Sequence, residues 1–191
     1  GSYYLGRPTL DRILVTNYPN VRAAWAELLR GQIDMLYEVG VDALDSLQSA
    51  QNVKIFTFTQ PYQYVLFFNR NTPVFSSSEV RRALNVAVDR EALVKDALGG
   101  HALPSAGPIW PHHWALPSGL QPFPVDQRAA VAALAGRKIR FTCLVRPDHE
   151  RIALVLKRQF EAVGVEMTIQ EASFDNAMEA LISNKFEAVL F

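Results

Sequence analysis

A single cysteine, Cys143, in a chain of 191 residues excludes an internal disulfide and any metal site built from several thiolates. It assigns no compartment, because a bridge-free protein suits a reducing cytosol and an exported environment alike. Neither sign of charge dominates: Lys plus Arg number 19 and Asp plus Glu 19. There is no positive excess to neutralise a phosphate backbone or an anionic bilayer, so nucleic acid and membrane surfaces are poor candidate partners. Long apolar runs are also missing, and no window approaches the roughly 20 residues of a membrane-spanning helix. The chain has no Gly-rich phosphate loop, no Gly-x-Ser-x-Gly elbow and no His-Glu-x-x-His helix. Its Gly99-Gly100 pair follows a predicted helix, where dinucleotide-binding glycines would precede one. Nothing in these absences argues for an enzyme, and no cofactor is expected.

What is present is the composition of a folded globular protein, 49% hydrophobic and long enough for one ordinary domain or two small ones. Ile13 to Val15, Ile33 to Val39, Val53 to Phe58 and Tyr64 to Phe68 are predicted strands. They alternate with a helix bearing Val21, Ala24, Trp25, Leu28 and Leu29, closed by Gly31, and with a short helix capped by Asp42 that carries Leu44 and Leu47. The run Tyr64 to Phe68 is apolar on both faces and implies a strand covered on both sides.

Residues 77 to 98 are the most informative stretch. Apolar residues at 80, 83, 84, 87 and 88 predict one helix, with Ser76 and Glu79 as its capping box. Asp89 restarts the chain as the cap of a second helix with Leu93, Val94, Ala97 and Leu98 on one face, and Gly99 ends it by taking positive φ. On this reading Arg81, Arg82, Asp89 and Arg90 serve structure. Residues 99 to 125 are a loop rich in proline, carrying Trp110, Trp114 and Phe123, and a long aromatic loop in a compact protein suggests function. After a short helix at 126 to 135 the chain becomes regular: strand 139 to 145, helix 148 to 163 stopped by Gly164, strand 165 to 169, a helix capped by Ser173, and a strand from Ala188 to Phe191. This order predicts right-handed crossovers and a mainly parallel sheet. Because the last strand is met at the end of the chain, a longer parent protein is expected.

Candidate site residues follow from position. Arg146, Asp148, His149 and Glu150 stand at the carboxyl end of the strand 139 to 145, where open α/β sheets place ligands, although Asp148 could simply cap the next helix. Tyr37 and Glu38 end one predicted strand, and Tyr62, Tyr64 and Asn69 lie on or beside another; such residues line concave sites or serve equally as core and edge. His101, His112 and His113 do not have metal-ligand spacing, and no metal is expected. Cys143 shares a strand face with Phe141 and Val145 and is expected to be buried rather than nucleophilic.

Phe68-Asn69, a short loop and then Val80-Arg81-x-Ala83-Leu84-x-x-Ala87-Val88-Asp89-Arg90-x-x-Leu93-Val94 together resemble the extracellular solute-binding proteins of ABC importers, family 5, the peptide- and nickel-binding type. The resemblance extends to Tyr3-Tyr4-Leu5-Gly6-Arg7-Pro8, Leu10-Asp11-Arg12-Ile13, Leu28 to Asp34, Gly107-Pro108-Ile109 with Pro111, and Phe186 to Leu190. It implies the type II periplasmic-binding-protein fold, a clam-shell of two α/β lobes, here incomplete. Residues 1–69 would belong to the first lobe and its crossing strand, and residues 70–191 to the second. It further implies a non-catalytic receptor, periplasmic or at the cell surface, that captures a peptide-like or other small polar solute and delivers it to a membrane permease. Carried over by position, the ligand-facing residues are Tyr37, Glu38, Tyr64, Asn69, Trp110, Arg146 and His149. A ligand-sensing module of a transcriptional regulator is the alternative with the same fold. A hydrolase using His149 and Asp148 is disfavoured, since adjacent side chains cannot orient one another as a triad requires.

Overall fold

The computed structural model describes residue 4, residues 6–37, 39, 44 and 47, and residues 49–191. The chain divides into two compact units, Gly1–Phe58 and Thr59–Phe191. In the first, helix α1 (Val21–Leu29) starts where Asn20 Oδ1 accepts from Ala23 N at 2.9 Å. It ends at Arg30, followed by Gly31 at φ 71°, a left-handed turn that a residue without a Cβ adopts freely. Leu44 and Leu47 are helical and buried, while the expected cap Asp42 lies outside the described residues. The strands expected at 13–15, 33–39 and 53–58 are not found among the described residues. Ile13, Leu14 and Val15 are largely exposed. Alternation and β-branching favour an extended backbone, but a strand also needs a neighbour to take its N–H and C=O groups.

The second unit is built on four strands: β1 (Leu66–Phe68), β2 (Ile139–Val145), β3 (Val165–Glu171) and β4 (Ala188–Leu190). Their spatial order is β1-β4-β2-β3. β2 pairs in parallel with both β3 and β4, and β1 is antiparallel to β4 with Leu66 opposite Leu190. The mainly parallel sheet expected over 139–191 is therefore present. β1 is hydrogen bonded into this sheet and lies within the second unit.

Ile139, Phe141, Cys143 and Val145 project from one face of β2 into the main core, as the two-residue period of a strand requires. They meet α2 (Pro73–Ser76), α3 (Ser78–Ala87), α4 (Arg90–Leu98), α5 (Gln127–Leu134) and α6 (Glu150–Glu161). Phe141 stands edge-on to Phe75 at 5.0 Å and near Phe160 at 6.0 Å between ring centroids. On the opposite face, Val189, Ala172 and Ala177 form a smaller cluster with Leu144 and Leu181 beneath α7 (Phe174–Ile182). Cys143 is fully buried, and burial pushes its thiol up to about 12.

Asp89 caps α4 as expected, its Oδ1 accepting from Ala92 N at 2.9 Å, and Gly99 ends that helix at φ 58°. Gln159 of α6 clamps the same link: its Oε1 accepts from Asp89 N at 2.9 Å and its Nε2 donates to Asp89 O at 3.1 Å. The expected capping box does not form. Pro73 opens a separate helical turn through Ser76, Ser77 stands at the N-cap of α3 without a side-chain bond, and Ser76 Oγ donates to Pro73 O. Glu79 instead pairs with Arg137. Arg81 donates to the carbonyls of Phe75 and Ser76 at 2.5 and 3.0 Å, and Arg90 to Asn85 and Val88, so both act within the scaffold. Among the described residues, no helix is long and apolar enough to cross a membrane.

Candidate functional site

β2 ends at Val145, and the next four residues fold back as Arg146 followed by a single turn of 3₁₀ helix, Pro147–His149, that leads into α6. Pro147 takes the first position of that turn, where its missing N–H is no loss. Asp148 does not cap α6. Its carboxylate receives Arg146 in a bidentate pair, Nε to Oδ1 at 3.0 Å and Nη2 to Oδ2 at 2.5 Å. The Arg146 guanidinium also lies 5.6 Å from the ring centroid of Phe174, within reach of a cation–π contact, and Phe174 in turn packs near Phe191.

His149 is 4% exposed, and its Nδ1 is buried without a hydrogen-bond partner. Its Nε2 lies 3.7 Å from Asp148 Oδ2. Burial pushes the imidazole below its usual range and Arg146 acts the same way, outweighing the opposing influences of Asp148 and the Leu190 carbonyl. Tyr64 stands edge-on to the His149 ring at 5.1 Å, and Tyr62 edge-on to Tyr64 at 5.6 Å. Sheet register makes this meeting possible. Val145 is opposite Leu190, Leu190 is opposite Leu66, and Val65 exchanges backbone hydrogen bonds with Phe191, so residues distant in sequence share one strand end.

The structure thus brings together three of the expected residues, Tyr64, Arg146 and His149. Trp110 lies in the 99–125 loop, half-buried and edge-on to His112. Gln63 donates to Ser105 Oγ and to Gly107 O at 3.0 and 3.2 Å, tying that loop to the segment between Tyr62 and Tyr64. Asn69 follows the other end of β1. Its Nδ2 donates to Phe186 O at 2.7 Å and Asn184 O at 3.3 Å, and its Oδ1 accepts from Asn71 N at 3.0 Å. It lines an open concavity of about 680 Å³ whose wall includes Asn71, Thr142, Gln170 and Glu187. Tyr37 belongs to the other compact unit and is exposed, and Glu38 lies outside the described residues.

Sequence reasoning did not anticipate Phe174 or Gln63 as partners of the site, since both act through tertiary contact and neither carries a local signal. Asp148 had one: an acidic residue two positions after an arginine, across a proline. Among the described residues, no three His, Cys, Asp or Glu side chains gather as a metal site would require.

Residues 2–191 match the sequence profile described as bacterial extracellular solute-binding proteins, family 5 Middle. The chain is similar to the oligopeptide-binding protein AppA of Bacillus subtilis, 26% identical over 200 residues that cover 94% of this chain and 37% of AppA. It also resembles heme-binding protein A of Haemophilus influenzae, 27% identical over 134 residues, covering 70% of this chain and 24% of that protein. The structure of B. subtilis AppA in complex with a nonapeptide superposes with a TM-score of 0.79 at 25% identity, over 99% of this chain and 42% of AppA. The chain therefore spans well under half the length of the relatives it matches, and it shares the fold of type II periplasmic binding proteins. Members of this group are binding proteins rather than enzymes, and they work outside the cell or in the periplasm. With a profile match running from its second residue to its last, the chain belongs to the bacterial extracellular solute-binding proteins of family 5.

Proposed function

We propose that this chain is part of the substrate-binding component of an ABC importer. It would capture a peptide-like or other small polar solute outside the cytoplasmic membrane and deliver it to a membrane permease. Tyr64, Arg146 and His149 are its contacts from the second unit, joined by Trp110 through the loop that Gln63 holds. Tyr37, Glu38 and Asn69 are further contact positions suggested by alignment of motifs. The observation that carries this reading is the convergence of Tyr64, Arg146 and His149 at one strand end, in a chain similar along 94% of its length to an oligopeptide-binding protein. Such a cluster offers aromatic edges, a partly buried cation and a neutral imidazole, groups that orient a polar solute without converting it.

The test is calorimetric titration of the product of the longest open reading frame that contains this chain, against dipeptides through pentapeptides, with nickel, heme and oligosaccharides alongside. Binding of peptides, recovered chemically unchanged, is the expected result. Turnover of any bound compound would overturn the receptor reading, and binding of only one of the other solutes would reassign the substrate.

A further inference from the structure

Asp148 holds two of the guanidinium nitrogens of Arg146, and Phe174 lies against the same group. Three-quarters of the Arg146 side chain is withdrawn from solvent, whereas Asp148 is more than half exposed. A bidentate pair of this kind is geometrically specific and cancels both charges at short range. His149 adds no charge near neutral pH, since it is buried and held below its usual range. The Arg146–Asp148 pair therefore carries no net charge, and the exposed carboxylates of Glu150 and Glu171 stand at the same strand end. Arg146 keeps N–H groups beyond the two that Asp148 uses.

We infer that Asp148 is a specificity-determining residue that neutralises Arg146, so that the part of the solute lying here is an uncharged polar group, such as a backbone amide, and not a carboxylate. An entering carboxylate would meet a cation already paired and would stand beside the like charge of Asp148, an arrangement that selects against anionic partners. A carbonyl oxygen or amide meets the remaining N–H groups without displacing anything. This inference rests on the receptor reading above and narrows its substrate class.

Matched peptides ending in a carboxylate or a carboxamide would be titrated against the same open-reading-frame product, and against its Asp148→Ala and Asp148→Asn variants. Melting temperature serves as the check on folding. The parent is expected to bind the two forms within about twofold, and both variants to favour the carboxylate form by about tenfold, the order expected of one charge-assisted hydrogen bond. A parent that already prefers the carboxylate about tenfold, or variants whose preference does not move, would overturn the role of Asp148 while leaving the receptor reading intact. Failure of every peptide to bind would overturn this inference, while the receptor reading would fall only if nickel, heme and oligosaccharides failed to bind as well.

Discussion

Asp89 shows how much one side chain can organise. Its carboxylate ends one helix-to-helix link by capping α4, and its backbone is held on both sides by Gln159. Replacement by alanine removes only the cap, so Asp89→Ala is expected to cost about 1 kcal/mol in chemical denaturation and to leave solute affinity unchanged. Loss of affinity at an unaltered melting temperature would place Asp89 in the site instead. His149 has a different signature. Its pKa in the folded protein is lowered below the ordinary 6.5, chiefly by burial, so the unfolded chain takes up the proton first as the pH falls. Its stabilising contribution is complete above that ordinary value and declines as the pH drops toward the folded one. Melting temperatures from pH 8 to pH 5 should fall more steeply for the parent than for His149→Gln, whose side chain does not titrate. Parallel profiles would contradict the assignment.

The helices and strands of the second unit take their places from one-sided burial. β2 alternates between the main core and the face beneath α7, so Phe141 and Thr142 are neighbours with opposite environments. Phe141→Ala is expected to destabilise the second unit by about 3–5 kcal/mol, because it empties the space between Phe75 and Phe160. Thr142→Ala on the opposite face should cost well under half of that, and denaturant unfolding of the two variants would compare them. Comparable losses would mean that both faces are equally packed. The α3 start illustrates competition among local signals. Ser76 and Glu79 have the spacing of a capping box, but Pro73 begins its own turn, and Arg81 reaches back to the carbonyls of Phe75 and Ser76. The cap is displaced by stronger neighbours that a spacing rule does not weigh.

For the molecule as a whole, enclosure governs affinity. Polar contacts strengthen when water is excluded from around them, and this chain covers 37% of the length of the oligopeptide-binding relative to which it is similar. The 191-residue chain alone is expected to bind weakly or not at all in the titration that tests its parent. Tight binding by this chain would mean that its own residues already complete the cleft. Much of this molecule is legible in its sequence. Ile139 to Leu190 alternates strand and helix periods with glycine and serine signals at the boundaries, and each element forms within a residue or two of its expected place. Arg146 and His149 were legible as site candidates because they directly follow a strand that the topology makes parallel.

The first unit was less legible, because the segments at 13–15 and 53–58 have strand-like composition but strand formation depends on a partner that no local pattern specifies. The same distinction separates the site residues. Side-chain period, caps and turn residues are local properties, and they were enough to indicate an α/β fold and a mainly parallel sheet, while the family was carried by the order of motifs such as Phe68-Asn69 followed by Val80 to Val94. The approach of Tyr64 to His149, the packing of Phe174 against Arg146, and the anchoring of the aromatic loop by Gln63 join segments far apart in the chain. Such contacts depend on sheet register and packing, because a shift of one residue in β1 against β4 would send each of its side chains to the opposite face.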